Sequence, residues 1–488
     1  MTHKTRILPS VKISIIPVLF LFASIAYVIF TKGAEDVLTY APVLLLAASA
    51  FAIILAKITT RRSYKAFYLG IVRSARQVGP AIPILLLIGT VSATWILSGL
   101  VPTLITYGLS ILSENTFLII TCSVCAAISV LSGSSWATIA TIGVAFLGIG
   151  KVMGYSDGWI AGAIISGAYF GDKISPLSDT TVLASTSCEV PLFTHIRYLT
   201  ITTVPTMVIA LAVFLIVGHT TTLNSVISAD ETSAALAAIF NITPWLMIIP
   251  AVTGALIVFR VNTNITLIAS SLLGLAFIFI FQPHIIPTLS DNSFLASLKI
   301  LFTGTNLNTG NELIDQLITT RGISGMLPTV YLVVCAGTFG GSMLGTGMLG
   351  SLTAAFCRVV SSPRKIVGST IGTGLFLNAV TADQFLSIVI LGNLYKSVFK
   401  KARLEPRLLS RTVEDSVSVT SVLIPWGSCG LTQATVLSVP TITYLPYCIF
   451  NWLTPIMSLT IVYLGFKIEG VSSRFKNMRA VRNQPDRV

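Results

Sequence analysis

The sequence predicts an all-α polytopic membrane protein with inverted structural repeats, two re-entrant hairpins and two broken transmembrane helices. Three observations lead to this prediction: the composition, the length of the apolar runs, and the charges around them. Hydrophobic residues make up 53% of the 488 residues and charged residues only 10%, against about 25% charged residues in a soluble protein. So few charges would not cover the surface of a soluble chain of this size, and we expect the protein to lie almost wholly in a membrane.

The charge balance is basic, with 31 Lys and Arg against 18 Asp and Glu. These bases lie in short stretches between apolar runs, which is typical of cytoplasmic loops in membrane proteins. We therefore expect a lipid bilayer as the partner and no nucleic acid. Cys122 and Cys125 form a CxxC pair with no second pair and no histidine nearby, so packed thiols are expected in place of a metal site.

Long apolar runs follow one another along the whole chain, and a spanning helix needs about 20 apolar residues. The candidate spans are 13–31, 38–56, 81–106, 117–150, 158–190, 198–217, 237–259, 264–281, 326–357, 366–394, 412–436 and 441–466. The first is too long for the apolar part of a signal peptide and is expected to be a retained span. Several others are longer than one crossing and carry Gly, Ser, Pro and Thr at their centres, which predicts broken or re-entrant segments.

Loop charges predict the sidedness of the spans, because Lys and Arg accumulate in cytoplasmic loops. The stretches 57–76 and 396–411 and the tail 467–488 each hold six Lys or Arg residues. All three are therefore expected in the cytoplasm. The stretches 107–116 and 218–236 hold no Lys or Arg and are expected outside.

The same charges predict two hairpins that enter the membrane from opposite faces. Segment 366–394 has basic residues before and after it, so both of its ends are expected inside. Segment 117–150 follows Glu114 and has only Lys151 near its end, so both of its ends are expected outside. With ten full crossings besides, both termini are expected in the cytoplasm.

The two halves of the chain align at an offset of 243 positions. This offset pairs Ser135 with Asn378, Thr138 with Thr381, Asp172 with Asp415, Ser175 with Ser418 and Ser178 with Ser421. Because the charges give the halves opposite orientations, the repeat is expected to be inverted, which is a secondary-transporter architecture.

The predicted organisation has five parts. They are the N-terminal spans with a cytoplasmic basic loop (1–80), the first repeat (81–217, with hairpin 117–150 and broken helix 158–190), linking scaffold spans (218–325), the second repeat (326–466, with hairpin 366–394 and broken helix 412–436) and the tail (467–488).

Polar residues inside the spans are costly there and are by default functional candidates. Pro176 should unwind the first broken helix and free carbonyl oxygens, while Asp172 and Asp179 lie two helical turns apart, on roughly one face. Carboxylate, hydroxyl and carbonyl oxygens suit Na⁺. The candidate ligands of the first half are Ser134, Ser135, Trp136, Thr138, Asp172, Ser175, Ser178, Asp179, Thr180 and Thr181. The alternative is a polar interfacial loop after a short span.

The second half offers a matching set of candidates around the expected hairpin tip 378–381 and around Pro425. They are Asn378, Thr381, Asp383, Asp415, Thr420 and Ser421. Glu414 and Asp415 lie beside the basic stretch 396–411, so a solvated helix start is the alternative for them. Lys173 is expected to be a charge partner or to point to the interface, with a proton-linked role as a further alternative. The Na⁺ ligands proposed at this point are Asp172, Ser178, Asp179, Asn378 and Asp415.

Five runs of this sequence resemble the signature of NhaC-type Na⁺/H⁺ antiporters. They are SGAYFGDKISPLSDTT at 166–181, GSSW at 133–136, LNAVTADQ at 377–384, EDS at 414–416 and IPW at 424–426. The similarity covers most of the chain, from about residue 70 to about residue 460. It implies membership of the wider ion-transporter superfamily, with inverted repeats, two re-entrant hairpins, two unwound helices and often a homodimer.

The expected function is Na⁺/H⁺ antiport by alternating access in the cell inner membrane or plasma membrane, with carboxylates that bind either Na⁺ or H⁺. The resemblance also covers exchangers of organic anions such as malate against lactate. A Na⁺-coupled symporter or exchanger of an organic anion or amino acid therefore stays as the alternative. The sequence lacks HExxH and GxSxG motifs, so no enzyme is expected, and no cofactor beyond the transported or coupling ions Na⁺ and H⁺.

Overall fold

The structure is a computed structural model that describes residues 9–33, 36–60, 63–221, 223, 229–259, 261–305, 315, 318–357 and 362–465. The predicted tail, 467–488, lies outside the described residues. Throughout the described ranges, the regular elements are helices.

The helices before residue 221 are α1 (Val11–Lys32), α2 (Val37–Thr60), α3 (Tyr64–Val78), α4 (Ala81–Leu97), α5 (Leu100–Ile111), α6 (Phe117–Ser132), α7 (Ser135–Val152), α8 (Asp157–Ile174), α9 (Asp179–Ser187) and α10 (Leu192–Thr220). The helices after it are α11 (Ala229–Ile239), α12 (Pro244–Val258), α13 (Thr263–Phe281), α14 (Ser293–Phe302), α15 (Gly322–Thr346), α16 (Met348–Cys357), α17 (Pro363–Thr381), α18 (Gln384–Lys401), α19 (Pro406–Val413), α20 (Ser428–Leu437), α21 (Thr441–Tyr447) and α22 (Ile449–Tyr463).

Many of these helices are long and apolar enough to cross a membrane. Within the described residues there are eight such candidates, or up to ten if two bent pairs each count as one span. The bent pairs are α11 with α12, which meet at 87°, and α21 with α22, which meet at 54°. These lengths and compositions confirm the prediction of an all-helical, multi-pass membrane protein.

The described part of the basic stretch 57–76 is largely helical, with 57–60 at the end of α2 and 64–76 in α3, although the sequence predicts a loop there. Together α3 and α4 make one candidate span of 34 residues, Tyr64–Leu97. The glycines of α15 bring it close to α3, because a Cβ on Gly341 would lie 2.6 Å from the Cα of Ile71. α3 therefore packs on α15, and the cytoplasmic position expected for 57–76 stays a prediction. The predicted span 81–106 is also interrupted, since α4 ends at Leu97 and Gly99 has a positive φ of 83°.

The segment 117–150 turns back on itself between α6 and α7, and we call it the first hairpin. Phe117 opens α6, and its ring lies 6.2 Å from the ring of Phe146 near the end of α7. A Cβ on Gly150 would lie 2.7 Å from the same ring. The start of α6 and the end of α7 are therefore neighbours, and the turn at Gly133 and Ser134 is the far tip.

The segment 366–394 also turns back, between α17 and α18, and we call it the second hairpin. The hydroxyl of Tyr395 on α18 is hydrogen-bonded to Ser369 at 2.7 Å and to Thr373 at 2.8 Å, both on α17. The turn lies at Ala382, which has a positive φ of 55°, and Asp383.

Two helices are broken near their centres. Residues 175–178, the first break, separate α8 from α9, and residues 419–427, the second break, separate α20 from α19 and the π-helical turn Glu414–Ser418 that continues it. The long helix α6 packs closely along α8, because Gly167 and Gly171 leave room for its backbone. A Cβ on Gly167 would lie 2.1 Å from the carbonyl oxygen of Cys122.

Candidate functional site

Asp172, in the last turn of α8, is held by the tip of the first hairpin. The backbone N–H and the hydroxyl of Ser135 both donate to its Oδ2, at 3.1 and 2.7 Å. Ser135 is the first residue of α7, so the partly buried carboxylate faces the N-terminus of an 18-residue helix. The unpaired N–H groups at a helix N-terminus favour negative charge. The arrangement therefore stabilises an anionic side chain at the tip.

The tip turns at this point for local reasons. Gly133 takes a positive φ of 66° and lies so close to the first break that a Cβ would meet the backbone carbon of Leu177 at 2.6 Å. Ser134 caps α7 by accepting a hydrogen bond from the N–H of Ala137 at 3.2 Å. Thr138 donates to the carbonyl of Ser134 at 2.9 Å. Hairpin tip and helix break thus form one packed unit.

The hydroxyl groups of Ser175 and Thr181, at and beside the first break, bind backbone carbonyl groups. Ser175 donates to the carbonyl of Val130 at 2.8 Å, and Thr181 donates to the carbonyl of Lys173 at 3.1 Å. Ser178 caps α9 and is hydrogen-bonded to the hydroxyl of Thr180 at 3.0 Å. We infer that Ser175 and Thr181 hold the break open and leave ion contact to other groups.

A cavity of about 180 Å³ lies against this unit. Its walls carry side chains from both hairpins and from the first break. The lining residues are Pro80, Ala81, Ile84, Ser132, Gly133, Ser134, Trp136, Asp172, Leu177, Asp179, Thr180, Thr263, Gln384 and Phe385. A second cavity of about 290 Å³ shares Ser134, Asp179 and Thr263 with it. The structure thus brings together five of the predicted site residues: Ser134, Trp136, Asp172, Asp179 and Thr180.

The tip of the second hairpin lies slightly later in the chain than the offset of 243 predicts. Asn378 and Thr381 are still within α17, and the turn falls at Ala382 and Asp383. Asp383 caps α18 by accepting from the N–H of Leu386 at 2.8 Å, just as Ser134 caps α7. The offset aligns the broken helices but not the tips, because the stretch from tip to break is shorter in the second half. Asp383 therefore caps the helix after the second tip as Ser134 caps the helix after the first.

The second break holds the second hairpin as the first break holds the first. The amide of Asn378 donates to the carbonyl of Val417 at 2.7 Å and to Thr420 at 3.0 Å. Ser421 donates to the side-chain oxygen of Gln384 at 3.1 Å. Thr381 is hydrogen-bonded to Ser387 at 2.7 Å. Gln384, which was not among the predicted site residues, links this unit to the cavity.

Asp415 forms a buried ion pair. Its Oδ1 accepts from the ammonium group of Lys173 at 2.5 Å and from the hydroxyl of Thr202 at 3.0 Å. The Nε of Arg411 lies 3.7 Å from its Oδ2. Lys173 is therefore the charge partner of Asp415, and this contact joins α8 to the second broken helix.

A sequence model described as the Na⁺/H⁺ antiporter family matches residues 4–187 and 167–466. The chain belongs to the Na⁺/H⁺ antiporter family. This assignment confirms the resemblance stated above.

Three similar proteins add to this assignment. The Na(+)/H(+) antiporter NhaC of Alkalihalophilus pseudofirmus is 36% identical over 386 residues, which is 79% of this chain and 82% of that protein. The Na(+)/H(+) antiporter NhaC of Bacillus subtilis is 33% identical over 82% of this chain and 87% of that protein. The Malate-2H(+)/Na(+)-lactate antiporter of Bacillus subtilis is 31% identical over 82% of this chain and 84% of that protein.

Proposed function

We propose that the protein exchanges Na⁺ for H⁺ by alternating access, with Asp172 as the group that binds either ion. The observation that carries this proposal is the pair of hydrogen bonds from Ser135 to Asp172 at the wall of the cavity. A charged carboxylate away from bulk water is costly unless its charge is matched. A proton or a sodium ion can neutralise this charge, and the two oxygens of one carboxylate do not bind both ions at once. Binding of one ion therefore requires release of the other.

The proposed Na⁺ ligands come from the hairpin tip and the first break. Sodium prefers hard oxygen ligands, and Asp172, Asp179, Thr180 and Ser134 present such oxygens to the same cavity. Ser178 is adjacent through its hydrogen bond to Thr180. We leave Asp415 and Asn378 out of this ligand set, because Lys173 neutralises the former and the amide of the latter is bound to the second break.

We further propose that the two hairpins are re-entrant, that they belong to inverted repeats, and that both termini are cytoplasmic. In support, Lys396 of the basic stretch pairs with Glu189 at 2.9 Å, so α9 and the second hairpin end on one face. The two ends of the first hairpin also lie together. Glu114 precedes this hairpin and Tyr155 follows it, and the hydroxyl of Tyr155 donates to the carbonyl of Glu114 at 2.9 Å. The first tip lines one cavity together with Gln384 and Phe385, which follow the second tip. A homodimer and a location in the bacterial cell membrane complete the proposal.

The experiment is proton flux in proteoliposomes that contain the purified protein. An outward or inward Na⁺ gradient should drive proton movement in the opposite direction, read by an internal pH dye, without any organic solute. Asp172→Asn should abolish this flux. Asp157→Asn is the matched control, because Asp157 begins the same helix and pairs only with the surface residue Lys151. Normal flux through Asp172→Asn would refute the assignment.

The second candidate function is Na⁺-coupled exchange of a small organic ion. The observation in its favour is the pair of adjoining cavities of about 180 and about 290 Å³, which exceed the space that one Na⁺ needs. A protein named as a malate and lactate antiporter is 31% identical to the chain. Adding malate, lactate or amino acids to the same proteoliposomes distinguishes the two candidate functions. Strict dependence of proton flux on one such solute would favour this candidate over simple antiport.

A further inference from the structure

Asp172 and Asp415 occupy corresponding positions in the two halves but have opposite electrostatic surroundings. The offset of 243 pairs them, and each lies in a broken helix upstream of the break. If both bound sodium, the protein would carry two Na⁺ sites. The two carboxylates differ in the charged groups of the protein that lie close to each of them.

Asp415 is already matched by cations of the protein itself. The ammonium group of Lys173 is 2.5 Å from its Oδ1, and the guanidinium of Arg411 is 3.7 Å from its Oδ2. The side chains of Lys173, Asp415 and Arg411 are 1%, 0% and 0% exposed, so water does not screen these charges. A sodium ion at Asp415 would have to displace an ammonium group and would be repelled by the guanidinium.

Among the described residues, no Lys or Arg forms an ion pair with Asp172. The hydrogen bonds to its carboxylate come from neutral groups, which include the N–H and hydroxyl of Ser135. Among the described residues that line its cavity there are two carboxylates, Asp172 and Asp179, and no Lys or Arg. This lining attracts a cation, whereas the ammonium group of Lys173 already takes the place of one at Asp415.

We infer that Lys173 takes the place of a second sodium ion, so that each protomer binds one Na⁺. Lys173 is the residue after Asp172, and its bond to Asp415 ties the end of α8 to the second broken helix. Its ammonium group neutralises Asp415 and does not contact the transported ion. This inference rests on the proposed function and adds to it the number of ions bound.

The test counts ²²Na⁺ bound to the purified full-length protein at saturation, by scintillation proximity. The expected result is one Na⁺ per protomer, lost in Asp172→Asn. The double variant Lys173→Met with Asp415→Leu removes both charges together, so it leaves no single unpaired charge from this pair. It should still bind one Na⁺, with an affinity within about threefold of the original, which is less than about 0.7 kcal/mol.

Two sodium ions per protomer in the unaltered protein would overturn the inference, whatever the variants do. A well-folded double variant, judged by size-exclusion profile and unfolding temperature, that has lost sodium binding would overturn it too. Failure of the proposed function gives a different result, namely no Na⁺-driven proton flux in the unaltered protein. Active exchange with two bound Na⁺ would refute only the role of Lys173.

Discussion

Replacing Ser135 by alanine removes one of the two hydrogen bonds that hold the carboxylate of Asp172. The hydroxyl lies 2.7 Å from Oδ2, while the backbone N–H at 3.1 Å is kept in the variant. A hydrogen bond to a charged group contributes about 1.5–3 kcal/mol. The low end applies because the carboxylate of Asp172 is only partly buried. This corresponds to about a tenfold change in an equilibrium constant.

We therefore expect Ser135→Ala to weaken the binding of Na⁺ by about tenfold relative to the binding of H⁺. The reason is that the lost hydroxyl donor stabilises the charged carboxylate of Asp172. The assay is the Na⁺ concentration that gives half-maximal proton flux in proteoliposomes at fixed pH. Ser123→Ala is the matched control, since Ser123 lies on α6 of the same hairpin and bonds only to the carbonyl of Ile119. An unchanged half-maximal Na⁺ concentration in Ser135→Ala would refute the reasoning.

Three further predictions concern packing, topology and buried charge. Gly167→Ala should lower the unfolding temperature, because its Cβ would lie 2.1 Å from a carbonyl oxygen of α6, whereas Gly254→Ala, with open space around it, should not; equal unfolding temperatures would contradict this. A cysteine in place of Lys400 should resist an impermeant thiol reagent in whole cells, whereas one in place of Glu114 should be labelled, and the reverse pattern would overturn the proposed topology. Glu414→Gln should keep or raise the unfolding temperature, since Glu414 is fully buried and a buried charge is destabilising unless it is closely paired; a fall would contradict the prediction.

The features that depend on local chemistry follow from the sequence. Apolar run length predicts the helices, and Pro176 predicts the first break, because a proline lacks the N–H that a helix interior needs. The stretch 57–76 is the exception among the helices. Its charges suggest a loop, but its glycine contact with α15 becomes visible only in the folded chain.

The positions that depend on distant partners do not follow from the sequence. Lys173 and Asp415 are 242 residues apart, and the sequence around either residue does not predict their contact. The second tip was recoverable, because Asp383 before an apolar run is a helix N-cap signal. The repeat offset led instead to Asn378 and Thr381, because it aligns these two residues with Ser135 and Thr138 of the first tip.

The central claim is that Na⁺ and H⁺ compete for Asp172. The most direct measurement is the ²²Na⁺ dissociation constant of the purified protein at a series of pH values. Competition at one carboxylate predicts that the dissociation constant rises as the pH falls, by at most about tenfold per pH unit, while the number of bound ions at saturation stays constant. A dissociation constant independent of pH would contradict the account, as would a loss of sites at unchanged affinity.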